Sequence, residues 1–389
     1  MDIDALRKDT PACGDVLHAN NAGASLQPRP VTEAVYEYLE LEQRIGGYEA
    51  AIERADQIQS AYDDVAALIG AHPDEIAFAD SATRAWQLAF NSVPFKAGDR
   101  VLTSVAEYAS NYIAYLQLQE RLAVDVVPIH NDETGQLSVQ ALADLLDESV
   151  RLVAVTHVPT NGGLVNPAEE IGALVADSDA LFLLDACQSV GQLPLDVRDV
   201  KADLITATGR KYLRGPRGTG FLYVNEDALG RLHPANADLF GARWVERDSY
   251  QFRDGARRFE LYESNLAGTI GLGAAARYAN DLGMDSIWQR IRVLGEGLRT
   301  ALADQRGITV VDQGDLRCGI VTFTMDGCEP RELVDKLRRQ RINIWHSGVE
   351  STRLDMERRG LRSVVRASLH YFNTEQEVER LVEAIGAAR

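Results

Sequence analysis

Ala207-Thr208-Gly209-Arg210-Lys211-Tyr212-Leu213-Arg214-Gly215-Pro216-Arg217-Gly218 follows an apolar, strand-like run, Leu204-Ile205-Thr206, and sets a lysine beside an arginine. A lysine that is partly buried and faces a second cation loses its proton more easily and becomes a usable amine nucleophile. Twenty-six positions upstream, Leu181-Phe182-Leu183-Leu184-Asp185 is another apolar run, and it ends on a carboxylate. A carboxylate at a strand end can pair with a protonated pyridine nitrogen. Lys211 and Asp185 together supply what pyridoxal 5'-phosphate (PLP) requires, a lysine at the carbonyl and an acidic partner for the ring. The competing reading is a surface lysine in a basic loop.

Outward from this stretch, short apolar runs alternate with helix-like segments. Strands are expected at Ile76 to Phe78, Val101 to Thr103, Val124 to Pro128, Leu152 to Val155, Leu181 to Asp185, Leu204 to Thr206 and Gly220 to Val224. Helices are expected near Ala85 to Phe90, Asn111 to Leu122, Ala141 to Leu146 and Ala168 to Ala176. That alternation predicts an α/β fold, a mostly parallel sheet covered on both faces. Ligands of such sheets sit beyond the carboxyl ends of the strands, where Asp185, His157 and the segment after Thr206 fall. After about Gly268 the pattern changes to a long helical stretch, Ile270 to Leu302, then strands near Val310 and Ile320 to Thr324 and a helix from Pro330 to Arg339. This predicts a large domain over residues 16–268 and a smaller α+β domain over 269–389 together with 1–15.

Composition narrows the function classes. The 389 residues are 46% hydrophobic and 25% charged, values of an ordinary globular protein, and carry a formal net charge of −18. That charge argues against nucleic acid as a partner, since a phosphate backbone selects excess Lys and Arg. Against it, Arg210, Lys211, Arg214 and Arg217 stand out as a local site for a small anion. No apolar run is long enough to span a bilayer, and the chain starts acidic, Met1-Asp2-Ile3-Asp4, so a cytoplasmic location is expected. Cys13, Cys187, Cys318 and Cys328 lack CxxC spacing, and the seven histidines show no HxH or HExxH pattern, so no metal is assigned.

Further segments fit the same chemistry, each with a plainer alternative. Asp80-Ser81-Ala82-Thr83 precedes a helix, whose free N–H groups suit an anion or simply take a cap. Tyr108, in Glu107-Tyr108-Ala109-Ser110-Asn111, can stack on a flat ring or fill core space. Gln188 can hydrogen-bond a phenolic oxygen or a backbone group. Arg366, in Val365-Arg366-Ala367-Ser368-Leu369-His370, suits bidentate capture of a carboxylate or is a solvated charge.

In this order, from Asn20-Asn21-Ala22-Gly23-Ala24 to Arg366 and Asn373, the pieces resemble the class V aminotransferase superfamily, which includes cysteine desulfurases, kynureninases and C–S lyases. The resemblance covers nearly the whole chain. It implies fold-type I, a seven-stranded-type sheet, and a homodimer with active sites at the subunit interface. It implies Lys211 as the lysine that binds PLP, Asp185 as the ring partner, Gln188 near the ring hydroxyl and Tyr108 over the ring. Ala82 and Thr83, Thr208 and Arg210 match phosphate-binding positions, and Asn265 is kept in Tyr262-Glu263-Ser264-Asn265. There Glu263 stands where the family often has a threonine that reaches the partner subunit's phosphate. Arg366 matches the arginine that holds a substrate carboxylate, with Asn21 and Ala22 beside the substrate.

One departure narrows the activity. Cysteine desulfurases carry a nucleophilic cysteine on a C-terminal loop, and the matching stretch, Ile344-Trp345-His346-Ser347-Gly348-Val349-Glu350, has none. Gly46-Gly47-Tyr48, Glu107-Tyr108, Arg210-Lys211 and Glu263-Ser264-Asn265 look most like hercynylcysteine sulfoxide C–S lyases. The expected activity is β-elimination from an S-substituted cysteine or its sulfoxide, releasing a sulfur product, pyruvate and ammonia. Lys211 is the expected base, and His346 and His370 are candidate proton donors to the leaving group. Transamination, epimerisation and decarboxylation coupled to oxidative deamination share Lys211 and Asp185 and are the alternatives. A catalytically silent PLP-binding scaffold is a third, and intact Lys211, Asp185 and Arg366 speak against it.

Overall fold

The computed structural model describes residues 1–388. Its centre is a seven-stranded sheet with strands, in chain order, β1 (Ile76–Ala79), β2 (Arg100–Ser104), β3 (Asp125–Ile129), β4 (Val150–Thr156), β5 (Leu181–Asp185), β6 (Leu204–Thr208) and β7 (Gly220–Val224). They lie in the order β1-β7-β6-β5-β4-β2-β3. All neighbouring pairs are parallel except those of β7, which runs antiparallel to both β1 and β6. Every residue of β5, β6 and β7 is buried, as expected of strands covered on both faces. The mostly parallel α/β sheet read from the sequence is thus the observed one.

The register brings the functional ends together. Thr156 pairs with Asp185, Asp185 with Thr206, and Thr208 with Gly220. The carboxyl ends of β4, β5 and β6 therefore open on one side of the sheet, and Lys211 sits in the turn just beyond β6. Gly220 has a local role here. A Cβ on it would lie 2.8 Å from the Ala82 nitrogen, so glycine lets the helix Ala82–Ser92 begin against β7.

The expected long helix from Ile270 to Leu302 is two helices, Leu266–Leu282 and Met284–Ala303. Gly283, at φ +80°, ends the first, its N–H reaching the carbonyls of Ala279 and Asn280. A left-handed residue after a helix turns the chain at small cost only when it is glycine. The first helix runs across the expected division at residue 268. A second sheet holds β8 (Ile308–Val310), β9 (Ile320–Met325), β10 (Trp345–Gly348) and β11 (Ser363–Ser368) in the order β8-β9-β11-β10, wholly antiparallel. Its core includes Leu298, Phe323, Leu337, Leu381 and, from the chain's start, Leu17 and Ala19. Leu17-His18 adds a short parallel pairing to Ile342-Asn343.

Candidate active site

A cleft at the carboxyl ends of β4, β5 and β6 is lined by Ala82, Thr83, Tyr108, Thr160, Asp185, Cys187, Gln188, Thr208, Arg210 and Lys211, among others. Eight of these are residues that the sequence singled out, contributed by four separate segments. Lys211 keeps part of its side chain open to the cleft while its amine end is packed round by protein. Burial pushes its pKa down, and Arg210 and Arg366 act in the same direction against Cys187 and Asp185. The shift is toward the neutral amine, the form that a nucleophile and base requires.

Asp185 ends β5, buried, with one carboxylate oxygen receiving the Cys187 N–H at 3.0 Å and the other the Asn111 Nδ2 at 2.9 Å. Gln188 donates from Nε2 to the Ala22 carbonyl at 3.2 Å, and its Oε1 is buried without a partner. An orphaned polar atom in a cleft wall invites a hydrogen-bonding ligand. Tyr108 is the N-cap of the helix Ala109–Leu122 and stays 36% exposed at the cleft, placed to cover a flat ring. Ser81 caps the helix that Ala82 and Thr83 open, accepting from the Arg84 N–H at 3.1 Å. The free amides of that first turn, with Thr208 and Arg210, are donors of the kind a phosphate requires. This donor set fits PLP: an amine for its carbonyl, a carboxylate for its ring nitrogen, a polar partner for its hydroxyl and an anion cradle for its phosphate.

Arg366 reaches this site through Thr160. Its Nη1 donates to the Thr160 carbonyl at 3.0 Å and hydroxyl at 2.7 Å, and its Nε is buried with no partner. Burial lowers its pKa to about 10. No carboxylate pairs with it among the described residues, so it is an uncompensated buried cation suited to a substrate's carboxylate.

Other expected residues are placed differently. Asn21 is fully buried and hydrogen-bonded to the Ser368 carbonyl (2.7 Å) and the Ser25 hydroxyl (2.7 Å), so its side chain is engaged within the chain. Ala22 does not line the cleft; its carbonyl accepts from Nε2 of Gln188, which does. Asn265 is not in this cleft. It caps the helix Leu266–Leu282 and lines a separate cavity of about 350 Å³ with Glu260 and Glu263.

The basic cluster also divides. Arg214 turns into the core, donating to Leu26, Tyr371 and Thr10 over the Phe372 ring, and Arg217 is exposed, which leaves Arg210 and Lys211 at the cleft. Arg210 donates to the Gly23 carbonyl. His157 follows β4 but lines another cavity with Asn166, Glu169 and Trp288, and burial lowers its pKa to about 4. His370 is fully buried, bonded to the Tyr212 carbonyl at 2.9 Å and held neutral by burial, so it is no proton donor to a leaving group. His346 stacks on Trp345.

Sequence reading missed four residues. Glu107 and Asn111, one helical turn apart, lie behind Asp185, and that i, i+4 spacing at a helix start was the available signal. Thr160 and Cys187 lack any such signal. Among the described residues there is no cluster of His, Cys, Asp and Glu that could hold a metal ion. No helix is long and apolar enough to cross a membrane.

The family model for aminotransferase class-V matches residues 18–381. A probable cysteine desulfurase of Methanothermobacter thermautotrophicus is 32% identical over 391 residues, covering 99% of this chain and 98% of that protein. One from Pyrococcus abyssi is 31% identical, with 96% and 94% covered. Among solved structures, an apo cysteine desulfurase from Thermococcus onnurineus matches with a TM-score of 0.92 at 28% identity, covering 99% of this chain and 97% of that one. A cystine C–S lyase in complex with its product cysteine persulfide shares the fold, with a TM-score of 0.88 at 24% identity and 97% and 99% covered.

Proposed function

We propose, for a chain that belongs to the class V aminotransferase family and is a PLP-dependent enzyme, that it breaks the C–S bond of a cysteine-derived amino acid. The full-length similarity to proteins named as cysteine desulfurases supports C–S chemistry. The finer reading is β-elimination from an S-substituted cysteine or its sulfoxide. It rests on one observation, that residues 344–350 hold no thiol to receive sulfur. The one thiol lining the cleft among the described residues, Cys187, is half-buried beside the Asp185 carboxylate, and loss of water and that charge both push its pKa up, away from the reactive thiolate.

When bound, PLP supplies an electron sink for charge released at Cα. Arg366, oriented by Thr160, pairs with the substrate carboxylate and fixes which Cα bond stands over the ring. Lys211, its pKa lowered by burial, takes the Cα proton as base. Asp185 holds the proton on the ring nitrogen. The Cβ–S electron pair leaves with sulfur, which takes up a proton. With one water, an S-substituted cysteine gives pyruvate, ammonia and a thiol; its sulfoxide gives a sulfenic acid in place of the thiol. Ala82, Thr83, Thr208 and Arg210 hold the phosphate in this reading, Gln188 the ring hydroxyl and Tyr108 the ring face. Asn265 and Glu263 reach a cofactor only across a homodimer, which a molecular mass of two chains in solution would support.

The similarity to desulfurases favours a second reading, transfer of sulfur to a protein thiol, with Cys187 or Cys328 as acceptor. Substrate turnover with parallel assay of pyruvate and of intact protein mass separates them. Stoichiometric pyruvate with unchanged protein mass supports elimination. Alanine as product with one added sulfur atom on the protein would overturn it.

A further inference from the structure

Glu107 sits in a closed box behind the cleft. It is 4% exposed, and all five groups that reach its carboxylate donate to it. One oxygen receives the Tyr108 N–H at 2.9 Å, Asn111 Nδ2 at 2.8 Å and the Thr156 hydroxyl at 2.5 Å. The other receives the hydroxyls of Thr103 at 2.9 Å and Ser104 at 3.5 Å. These hydrogen bonds favour the ionised form against burial, which favours the neutral one and leaves the pKa at about 7. Asn111 Nδ2 also donates to Asp185, at 2.9 Å. With a carboxylate on either side, the amide of Asn111 has one orientation: nitrogen between the two anions, one N–H to each.

We propose that Glu107, through Asn111, is a positioning residue for Asp185, holding its carboxylate in the orientation that receives the ring N–H of PLP and adding a second anion behind it. The inference rests on the assignment of Asp185 as the ring partner. The Asp185 oxygen held by Cys187 N–H and the one held by Asn111 are each fixed by one donor from the chain. Removing the Asn111 contact frees the carboxylate to rotate about its Cβ–Cγ bond. Glu107 keeps that contact in place, because without it the second N–H of Asn111 has no reason to stay turned toward the sheet. The other titratable groups that face this box are the Asp185 carboxylate, at the end of β5, and the phenol of Tyr115, one turn further along the helix from Asn111 and kept neutral by burial.

The test compares PLP with 1-deazapyridoxal phosphate, in which a C–H replaces the ring nitrogen, each titrated into enzyme stripped of cofactor. The Glu107→Gln variant places an amide where only donors converge, so one contact is lost or reversed. Its Kd for PLP should rise roughly tenfold to a hundredfold, the usual worth of a hydrogen bond to a charged group, while its Kd for the deaza analogue should not change. A merely structural role would weaken both equally, and that result overturns the proposal. Should Glu107→Gln not fold, Asn111→Ala removes the bridge and leaves Glu107 its four other donors, with the same expectation and the same refutation. Asp185→Asn is the control. If it discriminates the two cofactors and the Glu107 and Asn111 variants do not, the proposal fails alone. If it does not discriminate them either, the assignment of Asp185 fails and takes the proposal with it.

Discussion

Glu107 and Glu260 are two buried carboxyls whose pKa is pushed up to about 7, in each case chiefly by loss of water, yet they sit in different kinds of surroundings. Glu107 receives five donors, and through Asn111 it is tied to Asp185 at the bottom of the cleft. Glu260 receives two. The Tyr62 hydroxyl spans both of its oxygens at 3.0 and 2.9 Å, and the Phe78 N–H meets one at 2.8 Å. Of the two cations that act on it, Arg257 and Arg253, the first has the larger effect and lies over the Tyr62 ring at 3.7 Å. Glu260 thus pins β1, at Phe78, to the segment before the helix Leu266–Leu282. A perturbed pKa marks both, so it does not by itself separate a working group from a structural one. What separates them is whether the hydrogen bonds lead on to reacting atoms.

Alanine substitution should draw that line most sharply. Asp185→Ala removes the charge at the end of the Glu107 chain and should lower kcat/KM by about a hundred- to a thousandfold, as loss of a preorganised electrostatic group does. Glu260→Ala should leave kcat/KM of the folded enzyme unchanged. It strands the Tyr62 hydroxyl and the Phe78 N–H, and should cost about 2–3 kcal/mol of stability in a denaturant titration. A loss of turnover in Glu260→Ala comparable with that of Asp185→Ala would erase the distinction.

The pH dependence of stability sharpens it further. Both glutamates have a folded pKa raised above the ordinary value, so each contributes stability that is complete below about pH 4.5 and is lost as pH rises through about 7. By pH 8 the loss is about 3 kcal/mol for each. Glu107→Gln and Glu260→Gln should each flatten the fall of the unfolding free energy between pH 5 and 8. The two then part on cofactor binding. A pyridinium at Asp185 places a positive charge close to Glu107, lowers its pKa and shrinks its share of the slope, whereas Glu260 keeps its share. Equal slopes for enzyme with and without PLP, in wild type and both variants, would break this part of the comparison.

This contrast was only partly visible in the sequence. Leu181 to Asp185 declares itself, since four apolar residues followed by a carboxylate make a buried strand with a polar end, and Lys211 follows its own strand in the same way. Ala82 and Thr83 could be placed because they open a helix, whereas Thr208 and Gln188 were assigned through the resemblance to the class V aminotransferases. Arg366 was legible as a residue type, but its partner Thr160 lies 206 positions away and no local pattern joins them. Arg214 was misread for a related reason. Its charge matches that of Arg210 and Arg217, but contacts with Thr10 and Tyr371, 204 and 157 positions away, turn it into the core. Glu107 and Asn111 were quoted in one segment, and their one-turn spacing was there to see. That Asn111 also meets Asp185, 74 positions on, appears only when β5 and the helix Ala109–Leu122 are brought together.

The smallest effect is expected at Arg257, and it tests whether Glu260 is structural all the way out. Arg257 holds its guanidinium over the Tyr62 ring and donates to Gln59 at 2.7 Å. Its charge lowers the pKa of both Tyr62 and Glu260, against the larger effect of burial. Arg257→Leu keeps an apolar contact with the ring and removes the charge. The loss of the cation–π contact should cost about 0.5–1 kcal/mol. Glu260 then keeps only the smaller effect of Arg253 and moves further up, so the loss of stability with rising pH should begin at the same point, near 4.5, but end at a higher pH than in wild type. Turnover and PLP affinity should stay as they are, because nothing connects Arg257 to Asp185. A change in either would mean that the Glu260 region communicates with the cleft, and the division between the two glutamates would have to be redrawn.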